Sequence, residues 1–237
     1  VYINPPYAES GTGVGRNFKT KVALENKTHE KYKDKIGNAA NELFVLFLAR
    51  IYDEMNGCLV GHFSTLKILQ GPNLSHFRSF FQAKLEKIFI VPAFTFDNVK
   101  GQFPIGFMLW NTEKKEIFKE AVADVYFNTN QQPILEKTFR AYDNNKSYIN
   151  SWLRLYFDKI SEPIGIMHNN KNDFQNNQQV RITTNDIKDH TTPITRYNLI
   201  QMSIYLAIRH CIARTWINNQ DQFLFPNDGW KFDAEFQ

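Results

Sequence analysis

The sequence predicts an α/β fold: a partial sheet that finishes with late antiparallel strands, followed by an α+β carboxy-terminal region. Three observations carry this reading. Strand-like and helix-like apolar runs alternate through the first half of the chain, and two β-prone runs joined by a loop close that series. Past about Phe118 the texture turns rich in Asn and Gln, so the second part is organised differently. Residues 1–118 and 119–237 are therefore expected to be separate domains.

Val1-Tyr2-Ile3 is β-prone and runs straight into Asn4-Pro5-Pro6-Tyr7. Two prolines can neither continue a central strand nor enter a helix interior, so the strand ends in a rigid loop. Residues 8–36 are polar, with Gly11, Gly13 and Gly15 followed by many lysines, and a mobile surface segment is expected there. Between residues 38 and 54, Leu43, Phe44, Phe47, Leu48 and Ile51 recur at helical spacing, and Gly57 supplies the stop. Residues 58–63 read as a short strand, and Ser75 as the cap of a helix with Phe77, Phe80, Phe81 and Leu85 on one face. Residues 87–91 and 103–110 follow as the late strands, around a loop holding Phe94, Phe96 and Gly101. In the second half, residues 121–127 and 137–142 are expected as strands and 148–156 as a helix. Residues 195–216 read as a long helix with Leu199, Met202, Leu206 and Cys211 among its apolar positions. The Asn- and Gln-rich stretches read as solvated loops or as support for polar recognition.

Composition removes several classes. With 237 residues, 43% hydrophobic and 15% aromatic, the chain is not a disordered tail. Cys58 and Cys211 stand apart without a Cys-x-x-Cys pair, which excludes a disulfide scaffold and suits a reducing cytoplasm. The six histidines are scattered without metal spacing, and no Ser-His-Asp pattern or Walker loop occurs. The longest apolar runs are shorter than the ~20 residues a membrane crossing needs, so no membrane partner is expected. A formal charge of +4 and a pI near 8.9 permit nucleic-acid binding without demanding it. The chain opens inside a strand and without Met, and a fragment of a longer protein is expected.

Asn4-Pro5-Pro6-Tyr7, at the end of a hydrophobic strand and followed by a loop, a helix and another strand, resembles motif IV of amino-methyltransferases that use S-adenosylmethionine. The chemistry is that of an exocyclic amine, whose lone pair is delocalised into its ring until acceptors engage both hydrogens. Asn4 offers a side-chain carbonyl and Pro5 a backbone carbonyl. Tyr7 offers a ring on which an extruded base stacks. Residues 94–107 look like the motif VIII region of adenine-specific DNA methyltransferases, where an aromatic packs on the other side of the flipped adenine; Phe96 is the candidate, with Phe94 second. For the proline pair, the alternative is plain strand termination; for each aromatic it is an ordinary core place. Lys19, Lys21 and Lys27 lie in a basic stretch beside the expected active-site loop and are candidates for the DNA backbone, unless Glu25, Glu30 and Asp34 neutralise that stretch.

What the resemblance implies is a partial Rossmann-like methyltransferase sheet, namely its second half, with double-stranded DNA as substrate in a bacterial restriction-modification system. It also implies S-adenosylmethionine as cofactor, although the family's glycine loop and acidic residue usually precede motif IV; Gly11 to Gly15 sit on the wrong side of it. A missing amino-terminal half or a specificity subunit is then an expected partner. Other readings keep the motif but change the role: methylation of a protein glutamine amide or RNA, or a catalytically incomplete DNA-binding or assembly module. The 237-residue chain by itself is expected to bind S-adenosylmethionine weakly or not at all. Calorimetry on the purified chain checks this, and micromolar affinity would return residues 11–15 to the cofactor site.

Overall fold

In the computed structural model, which describes residues 1–5, 26–55, 57–97, 103–127, 132–140, 149–168, 180–184, 191–210 and 215–217, the alternation seen in the sequence becomes a mixed six-stranded sheet. Strand β1 is Tyr2–Ile3, β2 Leu59–Thr65, β3 Ala83–Pro92, β4 Pro104–Lys115, β5 Glu120–Val125 and β6 Leu135–Arg140. Their order across the sheet is β1-β2-β4-β3-β5-β6. β1 is parallel to β2, β4 runs antiparallel to both β2 and β3, and β5 is parallel to β3. The expected late antiparallel pair is thus β3 with β4. Pro92 stands opposite Pro104, so neither residue has an N–H to give, and the ladder stops there.

Alternation along the strands sorts the side chains onto two faces. Val60, His62 and Ser64 of β2 pair with Trp110, Met108 and Gly106 of β4, and all of these are buried. Ile88 and Ile90 of β3 join the same face. The helices of this unit are α1 (Lys27–Ile36), α2 (Leu43–Glu54), α3 (Lys67–Gln70) and α4 (Ser75–Phe80). Aromatic rings tie them together: Tyr32 of α1 and Tyr52 of α2 both meet Phe80, at 6.2 and 5.6 Å between centroids. Phe81 then stacks on Phe77 and meets the edge of Trp110 at 5.2 Å, which joins the helices to the sheet.

The other face carries a strip of rings. Phe107 lies against Phe63 and Phe89 at 5.0 and 5.1 Å, with Tyr2 at 6.3 Å, and Tyr126 meets Phe89 at 5.7 Å. Gly61 makes room for this strip, since a Cβ there would stand 2.8 Å from the Phe107 ring.

Asp143 ends this compact unit, which consists of Val1–Val99 and Pro104–Asp143. The division falls later than the texture change near Phe118, because β5 and β6 hydrogen-bond into the first sheet despite their polar sequence. The second unit, mainly Asn144–Gln237, holds helices α5 (Ile149–Arg154) and α6 (Leu199–His210) and strands β7 (Gly165–His168), β8 (Arg181–Thr183) and β9 (Thr191–Ile194). Its antiparallel sheet has the order β8-β7-β9. Leu153, Met167, Val180, Ile194, Met202 and Tyr205 form its core.

Four expectations need correction. The stretch expected to be a mobile surface segment includes α1, capped by Asn26, whose side chain accepts the His29 N–H at 2.7 Å; its buried face is His29, Tyr32 and Ile36, a pattern that amphipathic side chains hide among the lysines. Ser75 is the first residue of α4 and not its cap, and Leu85 belongs to β3, where pairing with Trp110 outweighs the helical spacing. β7, β8 and β9 were not expected, being too short to show a period. Helix α6 begins at Leu199, because Asn198 holds residues 195–198 in a turn by accepting the Thr195 N–H at 2.8 Å.

One polar pair is sealed within the first unit. The indole of Trp110 only donates, and it donates to His62 Nε2 at 3.0 Å, so the imidazole is neutral and its proton sits on Nδ1, facing the Phe63 carbonyl at 3.3 Å. Burial pushes His62 down to about 4. The unfolded chain, with an ordinary histidine near pH 6.5, takes up a proton before the folded one does. Stability is therefore complete above that value and is lost as the pH falls toward 4. The expected loss is about 3 kcal/mol, read by urea unfolding at the two ends of this range, and His62→Gln, which keeps an acceptor for Trp110 but cannot titrate, should remove that component.

Candidate functional site

The strand directions place a set of chain ends on one side of the sheet. β1, β2, β3 and β5 all run the same way, so their carboxyl ends share an edge, the edge at which open α/β sheets hold ligands. Ile3 stands opposite His62. Asn4 follows at the level of Phe63, exposed, and Pro5 is buried just beyond. Pro6, Tyr7, Lys19 and Lys21 lie outside the described residues, as do residues 11–15.

Phe96 comes to the same edge by another route. β3 lies three strand positions from β1, roughly 14 Å at the usual strand spacing. Past Pro92 the chain makes a 3-10 turn at Ala93–Thr95, closed by the Phe96 N–H on the Ala93 carbonyl at 3.1 Å. The Phe96 ring is carried back over the sheet to the ring of Phe63, with 5.2 Å between centroids at an edge-on 77°. Since β2 is the neighbour of β1, the structure brings Phe96 to within about one strand of Asn4 and Pro5. Phe94 points elsewhere, 43% exposed and edge-on to Phe127 at 6.0 Å.

Two residues of this edge escaped the sequence reading. Phe63 is the surface on which Phe96 rests, and its place was legible only as one position in a strand. Thr65 ends β2 with its hydroxyl buried and without a hydrogen-bond partner. Among the described residues no group of His, Cys, Asp and Glu is arranged to hold a metal ion.

The lysine-rich stretch divides. Lys31 bridges Asp53 and Glu54 at 3.0 Å each, Lys33 meets Glu30 at 2.6 Å and Lys35 meets Asp53 at 3.5 Å. The Lys31 ammonium and the Tyr32 hydroxyl, which donates to Asp53 at 2.9 Å, hold the Asp53 carboxyl below the usual range. Lys31 and Lys35 fasten α1 to α2, and Lys33 pairs within α1. Lys27 is exposed on the first turn of α1.

Two solved structures resemble part of the chain. One is the type IIG restriction endonuclease BpuSI, at 17% identity and a TM-score of 0.36, covering 59% of this chain and 19% of that one. The other is the ATP-dependent Type ISP restriction-modification enzyme LlaBIII bound to DNA, at 10% identity and a TM-score of 0.34, covering 56% of this chain and 10% of that one. The chain therefore spans less than a fifth of either enzyme's length. No family model and no curated protein matches it. At these values neither likeness bears on chemistry, which has to be read from the edge itself. No helix among the described residues is long and apolar enough to cross a membrane.

The half-buried state of Phe96 sets its structural worth. An edge-on ring pair contributes about 1 kcal/mol, and a fully buried phenylalanine about 3 to 5. Phe96→Ala is expected to cost no more than about 2 kcal/mol, measured by thermal and urea unfolding. A loss above about 3 kcal/mol would make the ring a core residue with no face to spare for a ligand.

Proposed function

We propose that this edge is the amine-binding part of an adenine-specific DNA methyltransferase, within a Rossmann-like catalytic domain of a bacterial, cytoplasmic restriction-modification protein. The supporting observation is the juxtaposition of Asn4-Pro5, at the carboxyl end of β1, with an aromatic ring returned over the neighbouring strand from the far side of β4. The Asn4 side-chain carbonyl and the Pro5 backbone carbonyl accept the two hydrogens of an exocyclic amine. With both hydrogens held, the nitrogen lone pair is less delocalised into the ring and the amine becomes a better nucleophile. Phe96 bounds the base on one side, and Tyr7 bounds it on the other. Such a base must first leave the helical stack, which makes duplex DNA the substrate and base extrusion the first step.

The described residues do not fit S-adenosylmethionine. The chain leaves β2 through Leu66 and Lys67 and β3 through Ala93, Phe94 and Thr95, and neither exit has the glycine turn that admits a cofactor close to the backbone. The methyl donor is then held by residues outside those described, or by a partner that completes the site. That same observation favours a second reading, in which the chain is a DNA-binding or assembly module that retains the motif without turning over.

Asn4→Ala separates the two. In the complete protein the variant should lose transfer by about 100-fold or more in kcat, the usual cost of removing one preorganised hydrogen-bonding group from a reacting centre. Its affinity for duplex DNA should stay within a few-fold of wild type. An unchanged kcat would remove Asn4 from the chemistry and leave the second reading standing.

A further inference from the structure

We propose that the second unit grips duplex DNA through two turn tips tied side by side, Lys159-Ile160 and Arg196-Tyr197. The inference rests on the reading of the chain as part of a DNA-modifying protein and assigns the surface that meets the duplex.

The two tips are built alike. Asp158 Oδ1 accepts the N–H groups of Ile160 and Ser161 at 3.0 and 3.1 Å, which closes the first tip. The Thr195 hydroxyl accepts the Tyr197 N–H at 3.3 Å, which closes the second. Thr195 Oγ1 also donates to Asp158 Oδ2 at 3.0 Å, and this bond joins them. Asn198 adds a clasp, donating from Nδ2 to the carbonyls of Tyr156 and Pro193 at 3.0 and 3.1 Å. Hydrogen bonds from Ser161 and Ile160 hold Asp158 down to about 2, so the knot stays ionised through the range of any binding assay. A surface fixed in this way loses little conformational entropy when a partner arrives.

Each tip presents a cation followed by a large apolar residue. Ile160 is 99% exposed and Tyr197 82%, and Leu155 and Ile200, a few residues along the chain from the tips, are 76% and 71% exposed. Exposure on this scale, gathered on segments that hydrogen bonds hold together, marks an interaction surface. The charges decide the partner. In the first unit Lys31, Lys33, Lys67 and Arg140 have a carboxylate partner, while the exposed Lys27, Lys87, Lys115 and Lys119 make no ion pair among the described residues and stand on separate elements. Arg154, Lys159 and Arg196 are exposed, and none of them makes an ion pair among the described residues. The Asp158 carboxylate is committed to the knot, and Glu162 is the other carboxylate on the loop. A second copy matches the apolar residues but brings the same three cations to the contact and leaves them unanswered. Duplex DNA answers both, with phosphates for the cations and sugar or base surface for the isoleucine and the ring.

The test uses the 237-residue chain and a fluorescein-labelled mixed-sequence duplex, with anisotropy read across a range of salt. Lys159→Glu combined with Arg196→Glu should weaken binding by about tenfold or more and flatten the plot of log affinity against log salt by about 2 in slope. Ile160→Ser combined with Tyr197→Ala should weaken binding with the salt slope unchanged. These side chains stand in solvent, so melting temperatures should match wild type and exclude misfolding. Variants that bind as wild type with the same slope overturn the inference, as does a wild-type chain that binds no duplex. A change in sedimentation mass in the apolar variant without a change in DNA affinity also overturns it, by assigning the tips to contact between copies. None of these outcomes touches the assignment of Asn4, which is decided by methyl transfer in the complete protein.

Discussion

Everything at the candidate site depends on where β4 enters the sheet. It runs opposite to β2 and β3 and lies between them, which leaves those two strands parallel to each other and their carboxyl ends on one edge. Were β4 placed outside β3, the sheet would have a different neighbour for β2, and the turn at Ala93–Thr95 would open on another part of the molecule. The insertion is tight. A Cβ at Gly106 of β4 would stand 2.8 Å from the tip of the Leu66 side chain just past β2, so a larger residue there would have to push that side chain aside. Thr112, near the other end of β4, receives the Cys58 N–H on its hydroxyl at 3.0 Å, which fixes register at the start of β2.

The helices and strands of the first unit were legible where apolar residues alternate or recur over a full turn. α2, β2 and the β3–β4 pair answered to those signals within a few residues. α1 did not, because its buried residues are a histidine, a tyrosine and a single isoleucine among lysines, and only the neighbours that surround Tyr32 show that it faces inward. The short strands of the second unit fall below the length at which any period can be recognised. Of the candidate site, the motif resemblance picks out Asn4-Pro5 and Phe96, but not Phe63, which is one aromatic among many until the sheet places it beside Phe96.

The two units spend their charge differently. In the first, ion pairs link neighbouring elements, as Lys31 links α1 to α2 and Lys67 reaches Glu42 at 2.7 Å. Exposed pairs of that kind contribute little stability each, so their effect is to settle the positions of short helices. In the second, the carboxylate at the centre of the loop is taken up by backbone N–H groups and a hydroxyl. Cations on the same loops, Lys159 and Arg196, are left to solvent without a carboxylate partner among the described residues.

Gly61 carries a consequence for how this chain can change. The Phe107 ring occupies the place of its missing side chain, so positions 61 and 107 are coupled through shared volume. Enlarging one requires shrinking the other, and a smaller residue at 107 withdraws a ring that Tyr2, Phe63 and Phe89 all touch. A larger residue at 61 therefore displaces that ring unless 107 shrinks with it, and the compensating change at 107 would loosen the strip of rings beside it.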